Sequence, residues 1–555
     1  MPRCRSGRCW RRSDDRLGRR VGAVIQSVDN VALLPAYLAA GTAVLVLLAD
    51  LLIGRRGATV AVFAAGAAAT ALGAVLVGAA GSRRTFCAGD DCSYLANGRA
   101  ALVGCLFALL TLGVLALSVP LLRSGQVPPG EYCFLLACSM TGGVVLGAAG
   151  DLITLVVALE TLTLPLYVLV GLRHRSVAGA EAALTFFVVS VVATAITLLG
   201  AALLYAVTGA VHLSRLDAVF TAEANRPVAL DGGFPAGPAL LELPLTVVAV
   251  ALIVLGLAFK VAAVPFHAWA PATYDGAPVP VAAYLSTASK LGGVVALLAV
   301  TAAALPARVT GPLLAAVAVL TMTVGNLVAL RQRRMVRLLA WSSVAQAGYI
   351  VAPLGALALS SGRGAEAIDT AVAAAVAYTV FFVLLELAAF GAVVALRPAV
   401  ADGGEIADYR GAARRRPWVG AAFVLALVGL AGLPPGLAGL FAKVTVVRSL
   451  LAGDAGWLAV VVALNAVVGL AYYVRVAATL YAPEPAAERA GDAAAAPVVP
   501  AADPGAPAAP GDGSPVPAAA PARPAWAVVA ALALATLVAI VVGFAPQLIL
   551  DVAAL

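Results

Sequence analysis

The chain has little charge and almost no lysine. Only 12% of its 555 residues are Asp, Glu, Lys or Arg, whereas soluble globular domains carry about 25%. Of 36 basic residues, three are lysine, Lys260, Lys290 and Lys443, and all three lie inside or at the edge of apolar stretches. The connections between those stretches use arginine. The seven cysteines show no metal-ligand spacing, which argues against a zinc ribbon or an iron–sulfur site. No phosphate-binding glycine loop and no dinucleotide fingerprint opens a βαβ unit. The chain is therefore expected to bind no cofactor and no metal of its own. The +8 formal charge is scattered over many short connections, so it does not form the basic patch that nucleic acid requires.

What is present is apolar. Hydrophobic residues make up 62% and mean hydropathy is +1.00, values that exclude an ordinary globular enzyme, a disordered chain and a disulfide scaffold. A spanning helix needs about 20 apolar residues, and the chain offers about fourteen such segments between positions 31 and 548. The fold class is an all-α polytopic membrane protein. Residues 1–30 form an Arg-rich tail, which reads as a misplaced start with the native chain beginning near Val24. Helices one to three occupy 31–123. A low-complexity Ala/Pro stretch at 483–524 cannot bury a core and reads as a flexible linker before the last helix at 525–548.

The middle reads as duplicated: 131–300 as one five-helix block and 311–482 as the next. An odd number of spans per block inserts the second copy upside down, giving two inverted repeats. Each carries a broken helix. Lys260 stands just before Pro265 in one, and Lys443 stands just after Pro434 and Pro435 in the other, 183 positions later. The two lysines are expected to occupy matching places. Arginine in the short connections favours one set of alternate loops, sixteen against eight. That places both termini on the outer face of the membrane.

Charged groups at mid-membrane cost at least about 2.5–3.5 kcal/mol on insertion scales. Burial disfavours the charged form of a lysine and a nearby carboxylate favours it, so a buried lysine can exchange protons; arginine stays protonated. Snorkelling to the interface is the bland alternative for each lysine, and it suits Lys290 least, because that residue lies deep in its segment. Glu160, mid-segment, is the natural carboxylate partner, either in a structural ion pair or in a proton path. Glu386 is also central and open to both readings. His267, beside the Pro265 break, is a packing residue or a proton relay. Asp50, Asp151 and Glu242 fall near segment ends. Cys105, Cys133 and Cys138 read as packing residues, while Cys87 and Cys92 lie in an outer loop where a local disulfide can form or not.

Four blocks carry a family resemblance: LETLTLPLYVLVGL (159–172), FKVAAVPFHAWAPATYDGAPVPVAAYLSTASKLGG (259–293), VGNLVALRQRRMVRLLAWSSVAQAGY (324–349) and ADYRGAARRRPWVGAAFVLALVGLAGLPPGLAGLFAK (407–443). They resemble the antiporter-like membrane subunits of respiratory complex I and of multisubunit cation/proton antiporters, over residues 28–482 and the last helix. The resemblance implies a bacterial cell-membrane subunit of a translocase, NADH:quinone oxidoreductase. Its partners would be the lipid bilayer and the other membrane subunits, with NADH and quinone handled on other chains. It implies that Glu160 pairs with Lys260, that Lys290 is the central lysine, and that Lys443 hands protons outward. Alternatives are a subunit of a cation/proton antiporter or membrane-bound hydrogenase, and a non-conducting scaffold. The chain also departs from the family pattern: Thr185 replaces a lysine, Ala272 an aspartate, Gln346 a histidine and Glu386 an asparagine. The lack of a dense carboxylate cage favours H⁺ over Na⁺.

Overall fold

Apolar segments this long have one stable solution in lipid, the helix, because every backbone polar group must be paired internally. The computed structural model describes residues 28–174, 176–224, 240, 243–398, 401–483 and 524–553. Nearly all of the Arg-rich tail and of the 483–524 linker, Glu242, and Arg175, Arg226, Arg489 and Arg523 of the arginine comparison lie outside the described residues.

Six helices come first: α1 (Leu34–Ile53), α2 (Arg56–Ala79), α3 (Gly98–Ser124), α4 (Pro129–Leu146), α5 (Leu152–Gly171) and α6 (Val177–Thr208). A short amphipathic helix, α7 (Leu213–Ala224), follows them. Next are the half-helices α8 (Pro244–Lys260) and α9 (Trp269–Gly276). Then come α10 (Val279–Ala302), α11 (Ala307–Ala329), α12 (Met335–Val351) and α13 (Ala365–Leu396). A second pair of half-helices, α14 (Pro417–Ala431) and α15 (Leu437–Ala452), precedes α16 (Gly456–Tyr481), α17 (Trp526–Phe544) and α18 (Gln547–Ala553). Among the described residues, twelve helices are long and apolar enough to cross a bilayer. The two broken helices supply the remaining crossings of the expected fourteen.

Among the described residues, one element is not helical. Residues Arg83–Ala88 and Asp91–Ala96 pair as an antiparallel hairpin, β1 and β2, closed by the Cys87–Cys92 disulfide. Search for 20-residue apolar runs passes over such a segment, because its alternating residues face opposite sides. The hairpin is anchored: Leu95 N–H donates to Ala148, Gly150 N–H to Ser93, and Arg83 pairs with Asp29 at 3.1 Å. These contacts, with Ser214 donating to Asp91 at 2.9 Å, gather the connections before α1, after α2, after α4 and after α6 on one face.

The opposite face is tied by charge. Arg334 donates through Nε to Asp275 at 2.7 Å and through Nη2 to Asp402 at 2.8 Å, and Arg397 donates to Asp408 at 3.1 Å. The Arg334 guanidinium holds the Asp402 carboxyl below the usual carboxylate range.

Both helix breaks have local causes. After α8, Ala262 takes a left-handed φ of 59°, and Pro265 has no N–H to donate. After α14, Gly432 turns with φ 80° ahead of Pro434 and Pro435, and α15 then starts hard against α14. A Cβ on Gly439 would overlap the Gly429 carbonyl, so that approach requires glycine at 439. A wide π turn at Leu285–Ser289 interrupts α10 just before Lys290.

The expectation that Lys260 and Lys443 occupy matching places needs correction. Pro244 and Pro417 open the two broken helices 173 positions apart, not 183. Lys260 is the last residue before its break, whereas Lys443 lies seven residues into the half-helix after its own. The two broken helices run in opposite directions, so both lysines stand on the hairpin side of their breaks.

Candidate functional site

Lys260, at the end of α8, points across to α5 and α6. Its Nζ donates to Glu160 Oε1 at 2.7 Å, to Ser190 Oγ at 3.1 Å and to Thr163 Oγ1 at 3.3 Å. Thr194 donates to the same Glu160 oxygen at 2.6 Å, and Tyr167 donates to Ser190 at 2.5 Å. The side chains of the pair are 6% and 21% exposed, so neither charge is free in solvent. Small residues allow this packing: a Cβ on Gly256 would strike Thr197, and one on Gly200 would meet the α8 backbone.

Lys290 is 2% exposed and reaches α12. Its Nζ donates to both the carbonyl oxygen and Oγ of Ser343 at 2.6 Å. It also lies 5.6 Å from the centre of the Phe382 ring, within the range of a cation–π contact. The helix that supports it, α12, is buried over nearly its whole length. A Cβ on Gly293, one turn on from Lys290, would press on the Lys260 carbonyl, so the backbones bearing the two lysines are in direct contact.

Lys443 takes its partners from the break itself. Its Nζ donates to the Leu430 carbonyl at 3.1 Å and the Ala431 carbonyl at 2.5 Å, and lies 5.0 Å from the Tyr349 ring centre. The last carbonyls of α14 have no intrahelical donor and carry the negative end of its dipole, where a cation is favourable. The break thus builds the seat for the lysine.

Glu386, on α13, is fully buried, and neither carboxylate oxygen has a hydrogen-bond partner among the described residues. Lys290 lies within Coulombic reach of it. His267 sits half-buried in the first break, its ring 5.1 Å from that of Trp341, apart from the lysines' hydrogen bonds. Asp151 caps α5 by accepting from Thr154 N–H at 2.7 Å, a structural task.

Apart from Gln346, noted as a departure from the family pattern, the polar groups that surround it were not singled out from sequence. Gln346 donates to the Leu430 carbonyl at 3.0 Å, the oxygen that Lys443 also uses, and to Tyr473 at 3.1 Å. Tyr378 donates to Gln346 at 2.5 Å, and Ser342 shares a 2.5 Å hydrogen bond with Tyr473. Beneath Lys443, Tyr349 accepts from Asn326 at 3.1 Å. Ser342, Ser343, Gln346 and Tyr349 crowd one apolar helix, which is a readable signal. Their targets on α10, α14 and α16 are not readable, because they are far away in sequence.

A polar cavity of about 760 Å³ opens on the face opposite the hairpin, lined among others by His174, Glu181, Thr185, Ala272, Asp275 and Arg337. Two of the family departures, Thr185 and Ala272, thus lie on its wall. No group of three or more metal-ligating side chains occurs among the described residues.

Residues 149–469 match the family described as NADH:quinone oxidoreductase/Mrp antiporter, TM. The chain is 70% identical to NADH-quinone oxidoreductase subunit N of Salinispora tropica, over 96% of this chain and 100% of that one. It is 44% identical to NADH-quinone oxidoreductase subunit N 2 of Streptomyces griseus, over 85% and 86%. Among solved structures, it resembles a chain of respiratory complex I from Thermus thermophilus at 27% identity and TM-score 0.70, covering 94% of this chain and 99% of that one. It shares its fold with a chain of the Mrp complex from Dietzia sp. at 23% identity and TM-score 0.72, covering 94% and 96%.

Proposed function

The chain belongs to the family of antiporter-like membrane subunits shared by NADH:quinone oxidoreductase and Mrp antiporters, and from that premise we propose that it moves protons across the bacterial membrane as a subunit of NADH–quinone oxidoreductase. Quinone is reduced on other chains of that complex, and the energy reaches this one through its membrane neighbours.

One observation carries the reading: the chain's only three lysines are all buried in the bundle, each held by polar atoms of a different kind. Lys260 has a carboxylate, Lys290 a serine, and Lys443 the carbonyl end of a half-helix. In this reading, Glu160 keeps Lys260 charged. Moving or neutralising that carboxylate leaves an unpaired buried ammonium, which a lysine relieves by giving up its proton. Lys290 takes the proton across the middle. Lys443 passes it to the hairpin face, which the arginine count assigns to the outside, with both termini there. His267, in the first break, and Glu386, beside Lys290, are the further titratable groups of the path. Thr185, at the place of the family lysine, leaves the cavity wall without a permanent charge there.

Isolation of the complex through a tag on this chain tests the assignment. Co-purified NADH-oxidising and quinone-reducing subunits support it. Antiporter or hydrogenase subunits in their place contradict it, as does recovery of the chain alone as an active exchanger.

A further inference from the structure

Proline shapes the end of α14. In a continuing helix the carbonyls of Leu430 and Ala431 would accept from the N–H groups four residues on, but Pro434 and Pro435 have none to give. The chain turns at Gly432 instead, and the N–H groups of Gly432 and Leu433 go back to Val428 and Gly429. Both carbonyls are thus left to side chains. Ala431 accepts from Lys443 at 2.5 Å. Leu430 accepts from Lys443 at 3.1 Å and from Gln346 Nε2 at 3.0 Å.

Gln346 stands on α12 and is 2% exposed. A carbonyl can only accept, so the amide nitrogen must face Leu430. Its other N–H goes to Tyr473 on α16 at 3.1 Å. The amide oxygen then faces Tyr378 on α13, whose hydroxyl donates to it at 2.5 Å. Both donors and the acceptor are engaged, and one side chain joins α12, α13, α14 and α16. Ser343, which seats Lys290, lies three residues earlier on the same helix. An amide has no proton to trade near neutral pH, so Gln346 can hold but cannot relay.

We propose that Gln346 is the positioning residue of Lys443: it keeps the Leu430 carbonyl paired when the lysine gives up its proton. The proposal rests on the proton path above. A charged lysine satisfies both carbonyls through charge-assisted hydrogen bonds. When its proton leaves for the hairpin face, the ammonium becomes a neutral amine and those bonds weaken. Leu430 still has its donor in Gln346, so a single carbonyl is left short and the seat keeps its shape for the next proton. Without that donor, both buried carbonyls depend on the lysine. An unpaired buried acceptor carries the full cost of its desolvation, and the lysine then keeps its proton. The place where the resembling family has a histidine is used in this chain to hold a carbonyl.

The test compares Gln346→Met, Gln346→His, Tyr378→Phe, the double variant of Gln346→Met with Tyr378→Phe, and Lys443→Met. All are measured in membrane vesicles that carry the assembled complex, reading protons moved per quinone reduced. Methionine keeps the size of glutamine and loses its donors. Histidine changes the size but keeps one N–H for Leu430 and one bare nitrogen for Tyr378. Gln346→Met is expected to lower the yield toward the level of Lys443→Met, and Gln346→His to recover part of it. Tyr378→Phe is expected to give a smaller loss and to add nothing to Gln346→Met, because it acts through the amide. A higher yield in the Met than in the His variant marks a packing role and overturns the proposal, as do additive losses. An unchanged yield in Gln346→Met beside a loss in Lys443→Met also overturns it and leaves the lysine path standing. An unchanged yield in Lys443→Met removes the path itself, and the proposal with it. If Gln346→Met does not assemble, Tyr378→Phe, which deletes one oxygen, decides alone: a loss supports the proposal and a native yield overturns it.

Discussion

Lys260 and Glu160 meet at 2.7 Å with side chains 6% and 21% exposed, and what matters at this scale is the asymmetry of breaking such a pair. Removing one partner leaves the other buried without its counter-charge, whereas removing both lets apolar groups fill the space. Lys260→Met alone and Glu160→Gln alone are each expected to destabilise the assembled complex by about 1–3 kcal/mol, read as a lower thermal unfolding midpoint. The double variant is expected to lose less than either single one; additive losses would contradict the pairing. This pair was legible in the sequence, because charges are rare in apolar segments and any one stands out. The seat of Lys443 was not. Its partners are backbone carbonyls that become acceptors only where the helix stops, and no side chain announces them. Tyr473 escaped for another reason: a hydroxyl group in a membrane helix carries no signal until its neighbours are known.

At the scale of elements, the second break depends on close backbone approach. Gly439→Ala forces α15 away from the Gly429 carbonyl, and overpacking of this kind costs about 1–3 kcal/mol. Gly41→Ala on α1 meets nothing within 4 Å and serves as the control. Thermal inactivation of the complex is expected to shift for the first and not for the second; equal shifts would show that the contact between α14 and α15 is slack. The Arg334 clasp makes a different prediction. Asp402 is held below the ordinary carboxylate range, with the Arg334 hydrogen bond as the largest cause. A depressed carboxylate contributes stability above its unfolded value and loses it as pH falls. The difference in heat stability between the native chain and Arg334→Gln is thus expected to stay flat from pH 8 to 5 and to shrink below about pH 4. A difference that grows on acidification would contradict it. The prolines gave away both breaks in the sequence. They did not give the direction in which each half-helix runs past its lysine, which is why the two lysines read as equivalent and are not. The hairpin β1–β2 went unread because fourteen residues of short alternation are invisible to a search for spans.

The whole molecule places one set of connections around the hairpin and the other around Arg334. Arginine numbers favour the hairpin face as the outer one, so after mild reduction a membrane-impermeant maleimide is expected to label the half-buried Cys87 from outside intact cells that carry the Cys4→Ser, Cys9→Ser variant. Labelling only in inverted vesicles would turn the molecule over. Cys105, Cys133 and Cys138 lie within the apolar helices α3 and α4, which an impermeant reagent does not enter. The opening scarcity of lysine acquires its meaning here. Most arginines stand in the loops and towards helix ends, and the three lysines are buried on α8, α10 and α15. The central claim is that these three lysines carry protons. The most direct measurement is the number of protons moved per quinone reduced by the assembled complex carrying Lys290→Ala. A lower yield with quinone still reduced is the predicted result; an unchanged yield would contradict the account.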